Sequence, residues 1–234
     1  MKTEGKNETG GTEGIRELVI PGELLSEKDM QPGTGTYQED DGKIYANQLG
    51  IKSVRDKFIS VIPLNGRYNP RVNDTVIGKV IDVASSTWLF DINSPYPAPL
   101  HVTETPWRID FGDTGRYLNV GDVVLLRVSE VDETKKVQVS MRGPGLRKLT
   151  GGAIIEISPP KIPRVIGKNA SMISVIQKYT NCKLHVGQNG RIWIDGSIEK
   201  IEKVIEVVKK IEKEAHTVGL TESITKYLSV GEKT

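Results

Sequence analysis

The 234-residue sequence predicts a mainly β chain that ends in an α+β domain. Two observations predict it. From Leu18 to Met141 the apolar residues come as short runs and alternations, punctuated by Gly, Pro, Asn and Asp, which is the period of strands. After Ile162 the period changes: Met172, Ile173, Ile176 and Tyr179, then Ile198, Ile201, Ile205, Val208 and Ile211, recur at helical spacing. The length leaves room for two or three small domains with cores of their own.

Residues 1–14 are rich in Gly, Glu, Thr and Lys and carry almost nothing apolar, so a disordered tail is expected. Residues 15–66 read as a small all-β domain. Leu18-Val19-Ile20 runs into a Pro21-Gly22 turn, Tyr37-Gln38 and Lys43 to Ala46 flank a hairpin with Asp41-Gly42 at its tip, and Phe58 to Leu64 is a further strand. The acids Glu39, Asp40 and Asp41 form a solvated tip; three consecutive acids at a turn cannot converge on one ion.

Residues 67–146 read as a five-stranded barrel. Gly66 to Arg71 is a polar connection, followed by strands at Thr75 to Val80, Ser86 to Ile92, Leu100 to Val102, Val123 to Val128 and Val137 to Met141. Gly78-Lys79-Val80, Gly121-Asp122-Val123, Val131-Asp132 and Val139-Ser140-Met141-Arg142 resemble an S1 domain, an OB-fold RNA binder. OB folds stack bases on aromatics inside a basic groove. The aromatics available are Trp88, Phe90, Trp107, Phe111 and Tyr117. Strand alternation assigns Trp88 and Phe90 to the core, whereas Trp107, Arg108, Arg116 and Tyr117 lie in a long inter-strand segment suited to a wet surface. Lys79, Lys135 and Lys136 complete the expected RNA-binding set. With 9 basic against 10 acidic residues in this segment, affinity must come from where charges stand.

Residues 147–234 follow the order β-α-α-β-β-α, with strands at Ala153 to Ile157, Lys183 to Val186 and Arg191 to Ile194 and a C-terminal helix beyond. That order resembles a KH domain, whose Gly-x-x-Gly loop between the first two helices grips single-stranded RNA. The corresponding residues are Arg164, Gly167, Lys168 and Asn169. The second glycine is replaced by Ala170, where a strained backbone is not expected. A second Gly-x-x-Gly, Gly187-Gln188-Asn189-Gly190, falls between the two strands, and its Asn-Gly pair reads as a structural hairpin turn.

Net charge is +2 overall, but from Arg147 onward 15 Lys and Arg stand against 9 Asp and Glu, so the basic surplus lies in the last third. The single cysteine, Cys182, excludes an internal disulfide and reads as a small buried residue. No apolar run reaches the roughly 20 residues of a membrane helix, and the first residues show no signal core; a cytoplasmic protein is expected. Nuclease chemistry would need clustered carboxylates or a positioned acid and base. His101, His185 and His216 are scattered, no Walker loop or metal-ligand spacing occurs, and neither a metal nor any other cofactor is expected.

A small β domain, an S1 domain and one KH domain, at these lengths, together resemble the RNA-binding cap subunit of the archaeal exosome. Val19-Ile20-Pro21-Gly22-Glu23, Asn93 to Ala98 and Gly187 to Gly190 are similar to stretches of that family. The resemblance implies a non-catalytic subunit that captures single-stranded, adenine-rich RNA and feeds it to a phosphorolytic 3′-5′ exoribonuclease. It implies three cap subunits on a hexameric ring of RNase-PH-like subunits, docked through Val19, Ile20, Pro21, Gly22, Glu23 and Leu24. The alternative is an S1/KH RNA-binding transcription or ribosome-associated factor.

Overall fold

The computed structural model describes residues 17–27, 30–215, 217 and 219–230. The expected tail at 1–14 and His216 lie outside them. The chain divides into two compact units, 1–64 and 65–234.

The first unit is all β. Its strands are β1 (Leu18–Val19), β2 (Leu24–Ser26), β3 (Gln31–Pro32), β4 (Thr36–Gln38), β5 (Ile44–Ala46), β6 (Gly50–Arg55) and β7 (Phe58–Pro63). They form one sheet of order β1-β6-β7-β3 and a second of order β2-β5-β4. Alternation sends Val19, Ile59 and Val61 inward to meet Leu25, Ile44 and Ala46. On the opposite sheet face exposed Leu18 and Ile62 flank half-buried Ile51 in register.

In the second unit, β8 (Thr75–Val83), β9 (Thr87–Asp91), β10 (Ala98–His101), β11 (Val123–Val131) and β12 (Val137–Ser140) run in the order β10-β9-β8-β11-β12. The barrel nearly closes where the Met141 N–H donates to the Glu104 carbonyl at 2.8 Å. Trp88 and Phe90 are fully buried, as alternation requires, and the Trp88 indole N–H finds the Leu118 carbonyl at 3.1 Å. Tyr68, from the polar connection, is buried in the same core and donates its hydroxyl to Asp74 at 2.7 Å, so that connection is part of the barrel.

Beyond Gly145 the chain does not leave the barrel at once. Strand β13 (Arg147–Leu149) pairs with β11, with Leu125 opposite Arg147 and Val123 opposite Leu149. The α+β part follows as β14 (Ala153–Glu156), α1 (Ile162–Ile166), α2 (Ser171–Thr180), β15 (Lys183–Val186), β16 (Arg191–Asp195), α3 (Ile198–Lys213) and α4 (Leu220–Val230), with sheet order β14-β16-β15. The apolar face of α3 packs Val204, Val207, Val208 and Ile211 onto Ile192 and Ile194, while α4 adds Ile224 and Leu228 to the same cluster. Helix α4 begins just after Gly219, whose φ is positive.

Strand β16 is buried on both faces, and the second face meets the barrel. Trp193 packs with Ile77, Leu125 and Leu149 in a separate apolar cluster, so barrel and α+β sheet are joined through a dry seam.

Candidate nucleic-acid interface

The seam sets the frame in which the surface residues stand. The β15–β16 hairpin turn, Gly187 to Gly190, is a hairpin turn as its Asn-Gly pair predicts, and it does a second job. Fully buried Asn189 accepts from the Ile77 N–H at 3.2 Å and donates to the Ile77 and Ile92 carbonyls, both at 2.9 Å. The Gln188 N–H donates to the Thr75 carbonyl at 2.8 Å, and the Asn93 side-chain amide donates to the Asn189 carbonyl at 2.8 Å. A side chain at Gly187 would press against the Ile77 nitrogen at 2.9 Å, so the glycine is what lets two backbones approach. Next to the turn, Arg191 reaches Asp91 at 2.6 Å and Glu156 at 2.8 Å and donates to the Asp91 carbonyl at 2.7 Å. Partial burial alone would push the Asp91 carboxyl up, but the Arg191 hydrogen bond, the Asn93 N–H and nearby positive charge outweigh it and hold it below the usual value.

Lys79 belongs to this flank. It projects from β8 beside Asp91 and Val123 and lines a groove with Ile77, Ile154, Glu156 and Arg191. The structure thus separates it from the other expected barrel residues.

Trp107, Arg108, Arg116 and Tyr117 do come together, in the segment that links β10 to β11. The Trp107 and Tyr117 rings lie 5.2 Å apart, tilted by 31°, and both rest against the barrel core. The Tyr117 hydroxyl donates to the Arg108 carbonyl at 3.1 Å, which fixes the backbone from which the exposed Arg108 side chain leaves. Arg116 pairs with Asp113 at 3.0 Å on the surface. The aromatic most open to solvent is neither of the two: Phe111 is 86% exposed. Its turn is held rigidly, because the Gly112 N–H donates to the Ser85 carbonyl at 3.0 Å and the Thr114 hydroxyl to the Ala84 carbonyl at 2.7 Å. A second residue, Arg142, joins from the barrel closure, its Nε donating to the Thr105 carbonyl at 3.2 Å while the residue stays exposed.

Lys135 and Lys136 sit at the tip of the β11–β12 hairpin, both exposed, in a turn that the Asp132 carboxylate ties together by accepting the Lys136 N–H at 2.8 Å. Four-residue β12, about 13 Å long, separates that tip from Ser140 and Glu104, so the lysines edge a different part of the rim.

In the α+β part the helix-loop-helix carries Arg164 on α1 and exposed Lys168 and Asn169 after Gly167. The expectation of an unstrained backbone at Ala170 is corrected here. Gly167, Asn169 and Ala170 have φ of 76°, 51° and 60°, so the loop keeps its left-handed bend without the second glycine. Ser171 follows at the start of α2, and with Ala170 already left-handed the helix can begin at once.

Fold and interface define a tandem S1–KH protein with an additional N-terminal β domain. Residues 16–65 match the family described as the exosome RNA binding protein RRP4 N-terminal domain, 67–111 the RRP4 S1 domain and 152–200 the KH domain. The exosome complex component Rrp4 of Picrophilus torridus is 48% identical over 214 residues, which is 92% of this chain and 93% of that one. Its counterpart in Methanosarcina mazei is 49% identical over 91% of this chain and 82% of its own length, and that of Thermoplasma acidophilum is 42% identical over 92% and 90%. A crystal structure described as that of an exosome complex RNA-binding protein superposes with a TM-score of 0.64 at 37% identity, covering 72% of this chain and 98% of that one. The chain belongs to the archaeal Rrp4 family of exosome complex components.

Proposed function

We propose that this chain is the RNA-binding subunit of an exosome RNA-degradation complex: it captures single-stranded RNA, favours adenine-rich 3′ tails, and hands the strand to catalytic subunits. The observation that carries this is the loop from Trp107 to Tyr117. It presents an 86% exposed phenylalanine on a pinned turn, with Arg108 and Arg142 exposed on the same barrel rim, in a chain of the Rrp4 family. An aromatic face stacks any base, and guanidinium groups meet the phosphates between bases. Stacking one base is worth about 1 to 3 kcal/mol, which is modest alone; several copies of the chain around one entry would raise the effective concentration of every contact.

In this reading the chemistry belongs to the catalytic subunits, as the S1 and KH matches of a chain in the Rrp4 family favour. Among the described residues no helix is long and apolar enough to cross a membrane.

Three copies sit on a hexameric ring of RNase-PH-like subunits, each docked through its N-terminal unit. Support comes from the open apolar face there: Leu18 is 57% and Ile20 59% exposed, and Leu24, Phe58 and Ile62 are likewise open. Within the Val19 to Leu24 strip the Val19 side chain is wholly buried, so its neighbours make the contact. The KH loop, Arg164 and Gly167 to Asn169, offers a second grip on the strand.

The test is reconstitution with ring subunits and a labelled RNA ending in oligoadenylate. Addition of the chain should speed shortening of that RNA, and Phe111→Ala or Arg108→Glu should remove the gain without releasing the chain from the ring. An unchanged rate with both variants would refute the assignment of the barrel rim.

A further inference from the structure

The two flanks of the barrel–KH seam are not alike. On one, Arg191 is neutralised by Asp91 and Glu156. On the other, two arginines stand without an ion-pair partner among the described residues. Strand β11 carries Val123, Leu125 and Arg127 on one face; the first two meet Trp193 of the KH sheet, the Arg127 guanidinium lies beside Gly143, and β13 sets Arg147 opposite Leu125. Arg147 is therefore the diagonal cross-strand neighbour of Arg127, about 7 to 8 Å away. The Arg147 guanidinium donates to His185 Nε2 at 2.9 Å, from the adjacent edge strand β15. Around the other end of the same flank, Thr75 pairs with Arg127 on one side and binds Gln188 of the KH turn on the other. Neither Arg127 nor Arg147 has an ion-pair partner among the described residues; Lys183 and Asp195, two residues further along β15 and β16, answer each other at 3.9 Å.

An arginine that spends a hydrogen bond on a neutral imidazole, beside a second arginine that is half-buried, is an arrangement short of one anion. Burial, and then the Arg147 charge, lower the His185 pKa, so the ring stays neutral and accepts at Nε2 with its own proton on Nδ1. The planar forks of two arginines suit the paired oxygens of a phosphodiester.

We propose that Arg127, Arg147 and His185 form a phosphate subsite on the barrel–KH seam, which receives the backbone of an RNA strand running from the barrel rim toward the KH domain. The subsite rests on the RNA-binding function proposed above, and it differs from both the aromatic loop and the Gly167 loop. It gives β13 a role that no local pattern suggested: the extra strand carries Arg147 to the seam.

The experiment measures binding of fluorescein-labelled oligoadenylate to the full chain by anisotropy across a salt series, for the wild type, Arg127→Gln, Arg147→Gln, the double variant and Phe111→Ala. Each lost phosphate contact should flatten the plot of log K against log salt by about 0.7 for a single strand. The double variant is expected to lose about 1.4 from the slope by the same relation, with an unchanged far-UV spectrum and melting temperature. Phe111→Ala should weaken binding while keeping the slope. Arg147→Lys, which keeps charge and loses the fork, should retain most of the slope. If the arginine variants bind with the wild-type slope while Phe111→Ala weakens binding, the subsite is refuted and the barrel-rim function stands. If the wild type itself does not bind, both fall together.

Discussion

Replacing Asn189 by alanine should unfasten the barrel from the KH domain. The side chain is fully buried and serves three barrel groups: the Ile77 N–H, and the Ile77 and Ile92 carbonyls. Alanine leaves the N–H without that acceptor in a site closed to water, which costs about 1 to 3 kcal/mol. The carbonyls lose less, because each has a second lone pair and Arg191 also lies 3.5 Å from the Ile77 oxygen; about 0.5 to 1 kcal/mol apiece is reasonable. The sum is about 2 to 5 kcal/mol, which for a unit of this size lowers the melting temperature by roughly 10 °C. Asn189→Asp should do at least as much harm, since a carboxylate donates to neither carbonyl and brings a charge into the seam. Guanidinium and thermal unfolding of the full chain, followed by circular dichroism, measure both. A loss below about 1 kcal/mol for Asn189→Ala, with normal unfolding cooperativity, would mean that the turn is no more than a hairpin.

Four further outcomes follow from particular residues. Phe111→Ala should weaken oligoadenylate binding about 5- to 100-fold, the equivalent of one lost stack, and leave unfolding unchanged because the ring is 86% exposed; titration by anisotropy checks it. Ala170→Gly should stabilise the chain by roughly 0.5 to 1 kcal/mol, because alanine is held at φ 60° where glycine is at ease. The folded-state pKa of Asp91 lies below its unfolded value, so its pairing with Arg191 contributes in full above about pH 4 and is lost as pH falls through the lowered value. Acid unfolding of Asp91→Asn should therefore lack part of the wild-type decline below that pH. Ile20→Asp, at a 59% exposed position, should abolish co-elution with ring subunits while the variant unfolds like the wild type.

Much of this molecule is readable from period and punctuation. Alternation placed Trp88 and Phe90 inside the barrel, and the Asn-Gly pair placed a turn between β15 and β16. What local pattern cannot show is what a turn touches. Asn189 meets Ile77 across a separation of 112 positions, and nothing local carries a trace of the pairing. Arg147 read as the start of the next domain, yet the three residues Arg147 to Leu149 still pair with β11. On the barrel rim the aromatic segment was visible as a long polar interruption between strands. Sorting its rings was beyond the pattern: Trp107 and Tyr117 cover the core, and Phe111 does not. Arg142 was hidden for a similar reason. It ends a strand by sequence, and only closure of the barrel at Glu104 brings it beside the loop. At Ala170 the loss of a glycine suggested a relaxed loop, but Ala170 keeps a left-handed backbone directly before α2.

The most direct measurement incubates the purified full chain with end-labelled oligoadenylate, magnesium and phosphate, and follows anisotropy and RNA length in the same samples. Saturable binding with every RNA molecule at its starting length is the expected result. No binding, or shortening of the RNA by the chain on its own, would contradict the central claim that this protein holds RNA for other subunits to degrade.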